Sequence, residues 1–254
     1  MTDPRVAQVQ QVLAYTAGGF LRNPVRTGTC VRCFTPTDSQ PPCSRCRHLL
    51  TISGGPDLLA VMAYASYLEP ITQSGHLMRG YKNPQIQTGS HRQTVALMAA
   101  LGLLGHAACP GALVGVPLSA WAVVPSLPPK PGLPKHPLRE IVGKLARPGA
   151  TEVTLTAAAN VPNPRDVDAS HYTASVNAAG KHVLLVDDTW TSGGHATSAA
   201  LAIRAAGASH VSVLVLARWL AAGWELTTPQ WAKQELTKPD FDTDVCPWTQ
   251  GRCP

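Results

Sequence analysis

The stretch HVLLVDDTWTSGGHA, residues 182 to 196, decides the fold. It opens with a continuous run of leucine and β-branched residues, Val183 to Val186, which is typical of a central parallel strand covered on both faces. Two carboxylates, Asp187 and Asp188, follow this run, so they are predicted at the carboxyl end of the strand. In open α/β sheets, ligands bind at that edge.

The second half of the stretch has the composition of an anion-binding turn. Thr191, Ser192, Gly193 and Gly194 are small, so their backbone N–H groups can converge, and a helix beginning near His195 adds its positive dipole end. Neighbouring carboxylates accept hydrogen bonds from vicinal hydroxyls. The spacing therefore predicts a site for a ribose 5-phosphate.

Other nucleotide-binding turns fit this stretch less well. A P-loop needs GxxxxGK followed by Ser or Thr, and a dinucleotide fingerprint needs GxGxxG, and neither pattern is present. The remaining alternative is a strand that ends in a turn capped by acids, without a ligand. The coincidence of strand, acid pair, glycine turn and helix favours the ligand site.

The sequence around this stretch alternates between helical and strand patterns, which predicts an α/β fold with a mostly parallel sheet. Val6, Val9 and Leu13 recur at helical spacing in a first helix that Gly18 and Gly19 end. Further helices are predicted over residues 56–68, 91–106, 137–146 and 196–207. Strands are predicted over residues 120–126, 151–157, 181–187 and 210–217.

Length and composition predict one main domain with appendages. The chain has 254 residues, of which 44% are hydrophobic, enough for one sizeable core. The pattern divides it into an N-terminal helix and cysteine-rich module (1–50), a main domain (51–220) and a C-terminal tail with two cysteines (221–254).

The charge pattern favours small anionic ligands over a dedicated nucleic-acid surface. The formal net charge of +6 comes from scattered Lys and Arg, so nucleic acid is an alternative that the pattern does not favour. No run of 18 apolar residues occurs, and the stretch MTDPRVAQVQQ lacks the apolar core of a signal peptide. We therefore expect a cytoplasmic protein with no membrane partner, whose oligomeric state stays open.

Four cysteines in two CxxC pairs predict a structural zinc site. Cys30 and Cys33 are followed, nine residues on, by Cys43 and Cys46, a spacing that suits tetrahedral zinc with four thiolates. The segment has almost no aliphatic side chains, whereas structural zinc contributes about 10 to 16 kcal/mol. A redox CxxC is the competing interpretation, but such a motif usually opens a helix in a βαβ unit.

The other three cysteines are ambiguous. Cys246 and Cys253 can donate to the same cluster, build another site with His48, or remain unpaired thiols. Cys109 is expected to fill a packed corner.

The segment VLLVDDTWTSGGHA resembles the phosphoribosyl diphosphate (PRPP) binding motif of type I phosphoribosyltransferases. The resemblance implies the fold of that family, with Asp187 and Asp188 on the ribose 2- and 3-hydroxyls and the turn at 191–194 on the 5-phosphate. His195 stands where the family usually has Thr, and Trp190 is bulkier than usual. The family's reaction also implies Mg²⁺, bound with PRPP.

Phosphoribosyl transfer passes through an oxocarbenium-like state while diphosphate leaves, so basic groups are expected on a second loop. The stretch VVPSLPPKPGLPKHPLREIV, residues 123–142, follows a strand and supplies Ser126 and Leu127 as backbone contributors. Its candidate cations are Lys130, Lys135, His136 and Arg139, with Lys130 and Arg139 expected to be catalytic. Arg79 and Lys82 are further candidates. The alternative is a solvated proline-rich connector.

A cysteine-rich ribbon ahead of such a domain resembles the ComF family of amidophosphoribosyltransferase-like proteins. The resemblance extends to Tyr81 and Lys82 and to the stretch VPSL at 124–127. It departs where HPLRE replaces the family's RGFNQ and where the tail carries cysteines. It implies a phosphoribosyltransferase acting on a nitrogen acceptor. The alternatives are a non-catalytic protein that senses PRPP or handles single-stranded DNA, and a zinc-ribbon interaction protein with a vestigial pocket.

Overall fold

The computed structural model describes residues 4–16, 20–37, 42–66, 73–83, 89–127, 129, 136–220 and 229–254. Within these residues, five strands form a parallel sheet in the order β1-β7-β6-β2-β3. The five strands are β1 (Leu58–Ser66), β2 (Ala120–Val123), β3 (Thr151–Glu152), β6 (His182–Trp190) and β7 (His210–Leu220). A separate antiparallel pair is formed by β4 (Leu155–Ala157) and β5 (Tyr172–Ala174).

Helices cover both faces of the sheet. In the described residues they are α1 (Pro4–Tyr15), α2 (Ser44–Leu50), α3 (Gln73–Gly80), α4 (Gly89–Ala100), α5 (Cys109–Val114), α6 (Pro137–Leu145), α7 (Gly194–Ala205) and α8 (Gln230–Glu235). A π-helical turn, Leu101–Gly105, extends α4. Helices α1, α4 and α6 share one buried apolar cluster, whereas α7 and the cysteine-rich segment share the other. The predicted α/β fold with a parallel sheet flanked by helices is confirmed.

The central strand divides its side chains between the two apolar clusters. Val183 and Leu185 of β6 lie in the cluster with α7, while Leu184 and Val186 lie in the cluster with α4 and α6. All four are buried, as expected for a strand covered on both faces. Strand β6 therefore has no solvent-facing side, and its first polar residues mark its carboxyl end.

The prediction of a helix over residues 56–68 is wrong. Residues Leu58–Ser66 form β1, which pairs with β7 along its length, from Leu58 opposite Ser212 to Ser66 opposite Leu220. A short apolar run cannot be assigned to helix or strand by periodicity alone, and here burial on both faces of the sheet decides. The strand predicted over 151–157 divides into β3 and β4, and Gly18 and Gly19 lie outside the described residues.

The strand order creates a crevice at one point of the sheet. The chain leaves β2 for β3 on one side and leaves β6 for β7 on the other, so β2 and β6 are neighbours whose connections diverge. Helix α6 follows β2 on one face and α7 follows β6 on the opposite face. The carboxyl ends of β2 and β6 therefore border a topological switch point, where open α/β sheets bind ligands.

The two terminal segments pack on each other beside the sheet. The backbone N–H of Arg22 donates to the carbonyl of Lys238 (2.8 Å), and the side-chain amide of Asn23 donates to the carbonyl of Asp242 (2.9 Å). The boundaries at residues 50 and 220 stay a prediction. Among the described residues, helices that combine the length and the apolarity needed to span a bilayer are absent.

Candidate ligand site and metal centres

A cavity of about 530 Å³ opens at the carboxyl ends of β2 and β6. Most of the ligand-binding residues predicted from the sequence line it: Ser126, Leu127, Asp187, Asp188, Thr191, Ser192, Gly193, Gly194 and His195. Thr189, Lys82, His136 and Arg165 add further polar groups to its lining. The acid pair and the glycine turn thus share one cavity with several cationic side chains.

The carboxylate of Asp188 is buried and held from three directions. The Tyr81 hydroxyl donates to its Oδ2, and the Lys82 ammonium forms an ion pair with the same oxygen. The Thr189 hydroxyl donates to Oδ1 over 3.1 Å. The backbone N–H of Asp188 donates to Asp187 Oδ1 over 2.9 Å, so the two acids are also tied to each other.

Burial drives the two carboxyl groups to different ionisation states. Burial, and then the neighbouring charge of Asp188, raises the pKa of Asp187 to about 8. Burial also opposes ionisation of Asp188, but Lys82, followed by His136 and the hydrogen bond from Tyr81, lowers the pKa of Asp188 to about 2. At neutral pH the pair therefore carries one proton, on Asp187, and one negative charge, on Asp188.

The turn after β6 requires both of its glycines. Gly193 has φ of +81°, and a Cβ on it would lie 2.2 Å from Cζ2 of Trp190. A Cβ on Gly194, the first residue of α7, would lie 2.2 Å from the carbonyl oxygen of Arg165. The bulky Trp190 thus packs directly under the turn. Burial, and then the charge of Lys82, lowers the pKa of His195, so its imidazole is neutral at neutral pH.

Two arginines hold the backbone of this turn from outside the cavity. Arg218, which is 1% exposed, donates to the carbonyls of Trp190 (2.7 Å) and Thr191. Arg45 donates through Nε to the carbonyl of Ser192 (3.3 Å) and through Nη2 to that of Arg165 (2.7 Å). Their guanidinium groups fix the carbonyls, and hence the conformation, of the turn.

A second cavity, of about 270 Å³, adjoins the first and shares Lys82, Ser126, Pro129 and His136 with it. Arg139 lines this cavity rather than the one with the acid pair, and its Nε donates to Glu152 Oε1 over 2.5 Å.

The remaining candidate cations of the sequence are Arg79, Lys130 and Lys135. Arg79 is exposed at the end of α3 and lines neither cavity. Lys130 and Lys135 lie outside the described residues, so their placement stays a prediction.

The four cysteines of the CxxC pairs converge as their spacing predicts. Cys30, Cys33, Cys43 and Cys46 are buried, and their sulfurs all lie within 4.8 Å of one another. Cys33 Sγ is 3.8 Å from Cys43 Sγ, and the backbone N–H of Cys43 donates to Cys30 Sγ over 3.4 Å. Four converging sulfurs with backbone N–H donors fit a tetrahedral metal such as zinc.

The structure places Cys109 in a buried corner, as expected, and brings the two tail cysteines next to it. A second cluster in the described residues consists of His106, Cys109, Cys246 and Cys253, whose ligand atoms lie within 4.8 Å of one another. The tail cysteines therefore lie beside Cys109 and His106, and they join neither His48 nor the first cluster. This cluster can also hold a metal such as zinc.

The sequence gives only partial signals for the residues that were missed. Arg218 is a charged residue inside an apolar strand, VSVLVLARWL, and such a residue needs a buried partner. Arg45 has no such signal, because exposed arginines are common in loops. His106 and Cys109 form an HxxC pair, but nothing local connects it to the tail.

The five-stranded parallel sheet and the four-cysteine cluster are compatible with the resemblance stated from the sequence. They occur in proteins of many functions, so they do not show a family by themselves. Scanned against models of known protein families, the chain matches none, and a search of curated proteins returns no match either.

Proposed function

We propose that the chain is a phosphoribosyltransferase of type I, which binds PRPP and transfers its phosphoribosyl group to a nitrogen acceptor. The observation that carries the proposal is the shared cavity. An acid pair and a glycine turn at a helix N-terminus face one space at the switch point of the sheet. A ribose 5-phosphate needs both groups at once.

The site's charges suit the two ends of PRPP. Asp188 accepts hydrogen bonds from the ribose hydroxyls, and protonated Asp187 donates or accepts as the hydroxyls require. The 5-phosphate lies on the backbone N–H groups of residues 191–194. Lys82 and His136, which line the same cavity, are available to the diphosphate.

In the reaction, the lone pair of the acceptor nitrogen attacks C1 of the ribose. The bond from C1 to the diphosphate oxygen breaks, and its electron pair leaves with diphosphate. When bound with PRPP, Mg²⁺ neutralises charge on the departing diphosphate. The second cavity shares its wall with the first, so it is the place for the acceptor.

Mg²⁺ is expected on the diphosphate rather than on the acid pair. The Oδ2 atom of Asp188 already pairs with Lys82 and Tyr81, and its Oδ1 accepts from Thr189. A cation on this carboxylate would have to displace the ammonium of Lys82. The donor set therefore fits a ribose better than a metal.

The test is calorimetric titration of PRPP with and without Mg²⁺, followed by a screen of nitrogen acceptors for diphosphate release. The wild-type protein binds PRPP and Asp188→Asn loses both binding and turnover. Asp240→Asn, an exposed tail carboxylate, serves as the matched control and keeps both. Absence of PRPP binding, or full activity in Asp188→Asn, would overturn the proposal.

A second candidate function is PRPP sensing without turnover. It is favoured by the ion pair between Lys82 and Asp188, since a bound diphosphate competes with Asp188 for the ammonium of Lys82 and can thereby shift Lys82, which follows α3. PRPP binding without diphosphate release for any acceptor supports this function. Affinity for single-stranded DNA that falls steeply with salt and ignores PRPP would instead support nucleic-acid handling.

A further inference from the structure

The second cluster brings together two distant parts of the chain. His106 follows the π-helical turn, and Cys109 is the first residue of α5. Cys246 and Cys253 come from the C-terminal segment. His106 Nδ1 lies 3.3 Å from Cys253 Sγ, and Cys246 Sγ lies 3.8 Å from Cys109 Sγ. All but Cys253 are buried.

The backbone around Cys246 repeats the backbone around Cys30. The N–H of Cys30 donates to the carbonyl of Thr35 (2.8 Å), and the N–H of Phe34 donates to the carbonyl of Cys30 (3.0 Å). In the tail, the N–H of Cys246 donates to the carbonyl of Gly251 (2.8 Å), and the N–H of Gln250 donates to the carbonyl of Cys246 (2.8 Å). In both turns, the N–H of the cysteine therefore donates to the carbonyl five residues later, and the carbonyl of the cysteine accepts from the N–H four residues later.

The two turns also share an uncommon residue conformation. Phe34 has φ of 56° and Gln250 has φ of 57°, and among the described residues they are the non-glycine residues with positive φ. Each stands four positions after a cysteine of a cluster. A left-handed non-glycine residue persists where its surroundings over-determine it. The same turn, at the same offset, therefore presents a sulfur to each cluster.

We propose that His106, Cys109, Cys246 and Cys253 bind a second structural zinc ion, which fastens the C-terminal segment to the corner between α4 and α5. Three thiolates and one imidazole complete a tetrahedral shell with no position left for a substrate. Binding displaces the thiol protons. The inference is independent of the function of the cavity at β2 and β6.

Burial orders the C-terminal segment only in part, although Phe241 and Trp248 pack half-buried against the apolar cluster that contains α4 and α6. Between residues 241 and 254, Cys246 and Pro247 are buried and the other described residues are half-buried or exposed. Polar contacts, such as the one from Gln10 to Asp244 Oδ1 (2.8 Å) and the one from Arg26 to the carbonyl of Thr249 (3.1 Å), lie at the surface. A metal ion joining residues 106 and 253 supplies the missing connection.

The test counts zinc in the full chain by native mass spectrometry in reducing buffer. The wild-type protein carries about two zinc ions per chain, one for each four-ligand cluster. Cys253→Ser, a change at an exposed ligand, lowers the count to about one. His48→Ala, an exposed histidine outside both clusters, is the matched control and leaves the count unchanged.

X-ray absorption at the zinc edge identifies the ligands without a destabilising variant. The wild-type protein gives about seven sulfurs and one nitrogen over two zinc ions, and His106→Cys retains both ions and replaces the nitrogen by sulfur. In Cys253→Ser, hydrogen exchange speeds up across residues 244–254 and is unchanged across 182–196. A single zinc ion with four sulfurs in the wild-type protein overturns the proposal, as does a disulfide between Cys109 and Cys246.

Discussion

Replacing Asp187 by Asn is expected to stabilise the protein at neutral pH. Asp187 is 8% exposed and shares a buried site with Asp188. Its pKa is raised to about 8, first by burial and then by the charge of Asp188. Asn keeps the oxygen that accepts the N–H of Asp188 (2.9 Å), and it never ionises. The variant therefore removes the cost of a buried acid and leaves the packing intact.

The magnitude follows from the difference in bound protons. An unfolded Asp has a pKa of about 3.9, so between about pH 4 and pH 8 the folded state holds one proton more at this residue than the unfolded state. The free energy of unfolding of the wild-type protein then falls by about 1.4 kcal/mol per pH unit relative to the variant. At pH 7 the free energy of unfolding of Asp187→Asn therefore exceeds that of the wild-type protein by at most about 4 kcal/mol.

The assay is urea unfolding of both proteins at several values between pH 5 and pH 8, with zinc held constant. The difference between the two unfolding free energies cancels the titration of every other group. A difference that does not grow with pH, or a variant less stable than the wild-type protein at pH 7, would refute the charge assignment.

Asp188→Asn is the matched control, because its expected effect on the free energy of unfolding has the opposite sign. Burial opposes the charge of Asp188, but Lys82 and His136 lower its pKa to about 2. This carboxylate contributes stability above about pH 4, up to about 2.6 kcal/mol, and loses it as the pH falls toward 2. We therefore expect Asp188→Asn to destabilise the protein at pH 7 and to have little effect at pH 2.

Two further changes probe the turn. Gly193→Ala places a Cβ 2.2 Å from the ring of Trp190, at a residue with φ of +81°. We therefore expect the free energy of unfolding to fall by about 1 to 3 kcal/mol and PRPP binding, measured by calorimetry, to be lost. Gly89→Ala is the control, because its Cβ meets nothing within 4 Å, and it changes neither quantity. Arg45→Met removes the hydrogen bond to the carbonyl of Ser192, which supports the turn from outside the cavity. Because one charge-assisted contact is lost, we expect PRPP binding to weaken about tenfold while the zinc content stays unchanged. Arg47→Met, two residues along the same helix, is its control, and equal affinities in the two variants would contradict the role of Arg45.

Helices and strands could be predicted where the signal lies within the element's own residues. Strand β6 is an uninterrupted apolar run and α7 is an alanine-rich segment, so both were predicted from their local sequence. Strand β1 was predicted as a helix because all of its residues before Ser66 are apolar, and only the pairing with β7 distinguishes a strand from a helix here. Strand β3 has two residues, too few for a periodic signal.

The ligand site could be predicted where its residues are contiguous. The acid pair and the turn lie within eight positions of one another, so the local pattern was sufficient. The ion pair of Lys82 with Asp188 and the hydrogen bonds of Arg45 depend on tertiary packing. The second cluster joins Cys109 to Cys246, which are 137 residues apart, and cysteine spacing cannot pair such distant residues.

The cysteine-rich module lies next to the glycine turn of the cavity. Arg45 stands between Cys43 and Cys46, so a metal that orders these cysteines would also orient the guanidinium that donates to the carbonyl of Ser192. Four thiolates around Zn²⁺ carry a net charge of about −2. Such a charge inside the protein needs a cation nearby.

Arg218 supplies that cation. It is 1% exposed, interacts electrostatically with Cys33, and donates to the carbonyls of Trp190 and Thr191. One buried guanidinium thus offsets part of the negative charge of a metal-bound cluster and also fixes the turn. Since both arginines connect the cluster to the turn, removal of the metal disturbs two supports of the cavity at once. The module therefore supports the turn from outside the cavity, and we expect the metal content and the ligand affinity of the cavity to change together.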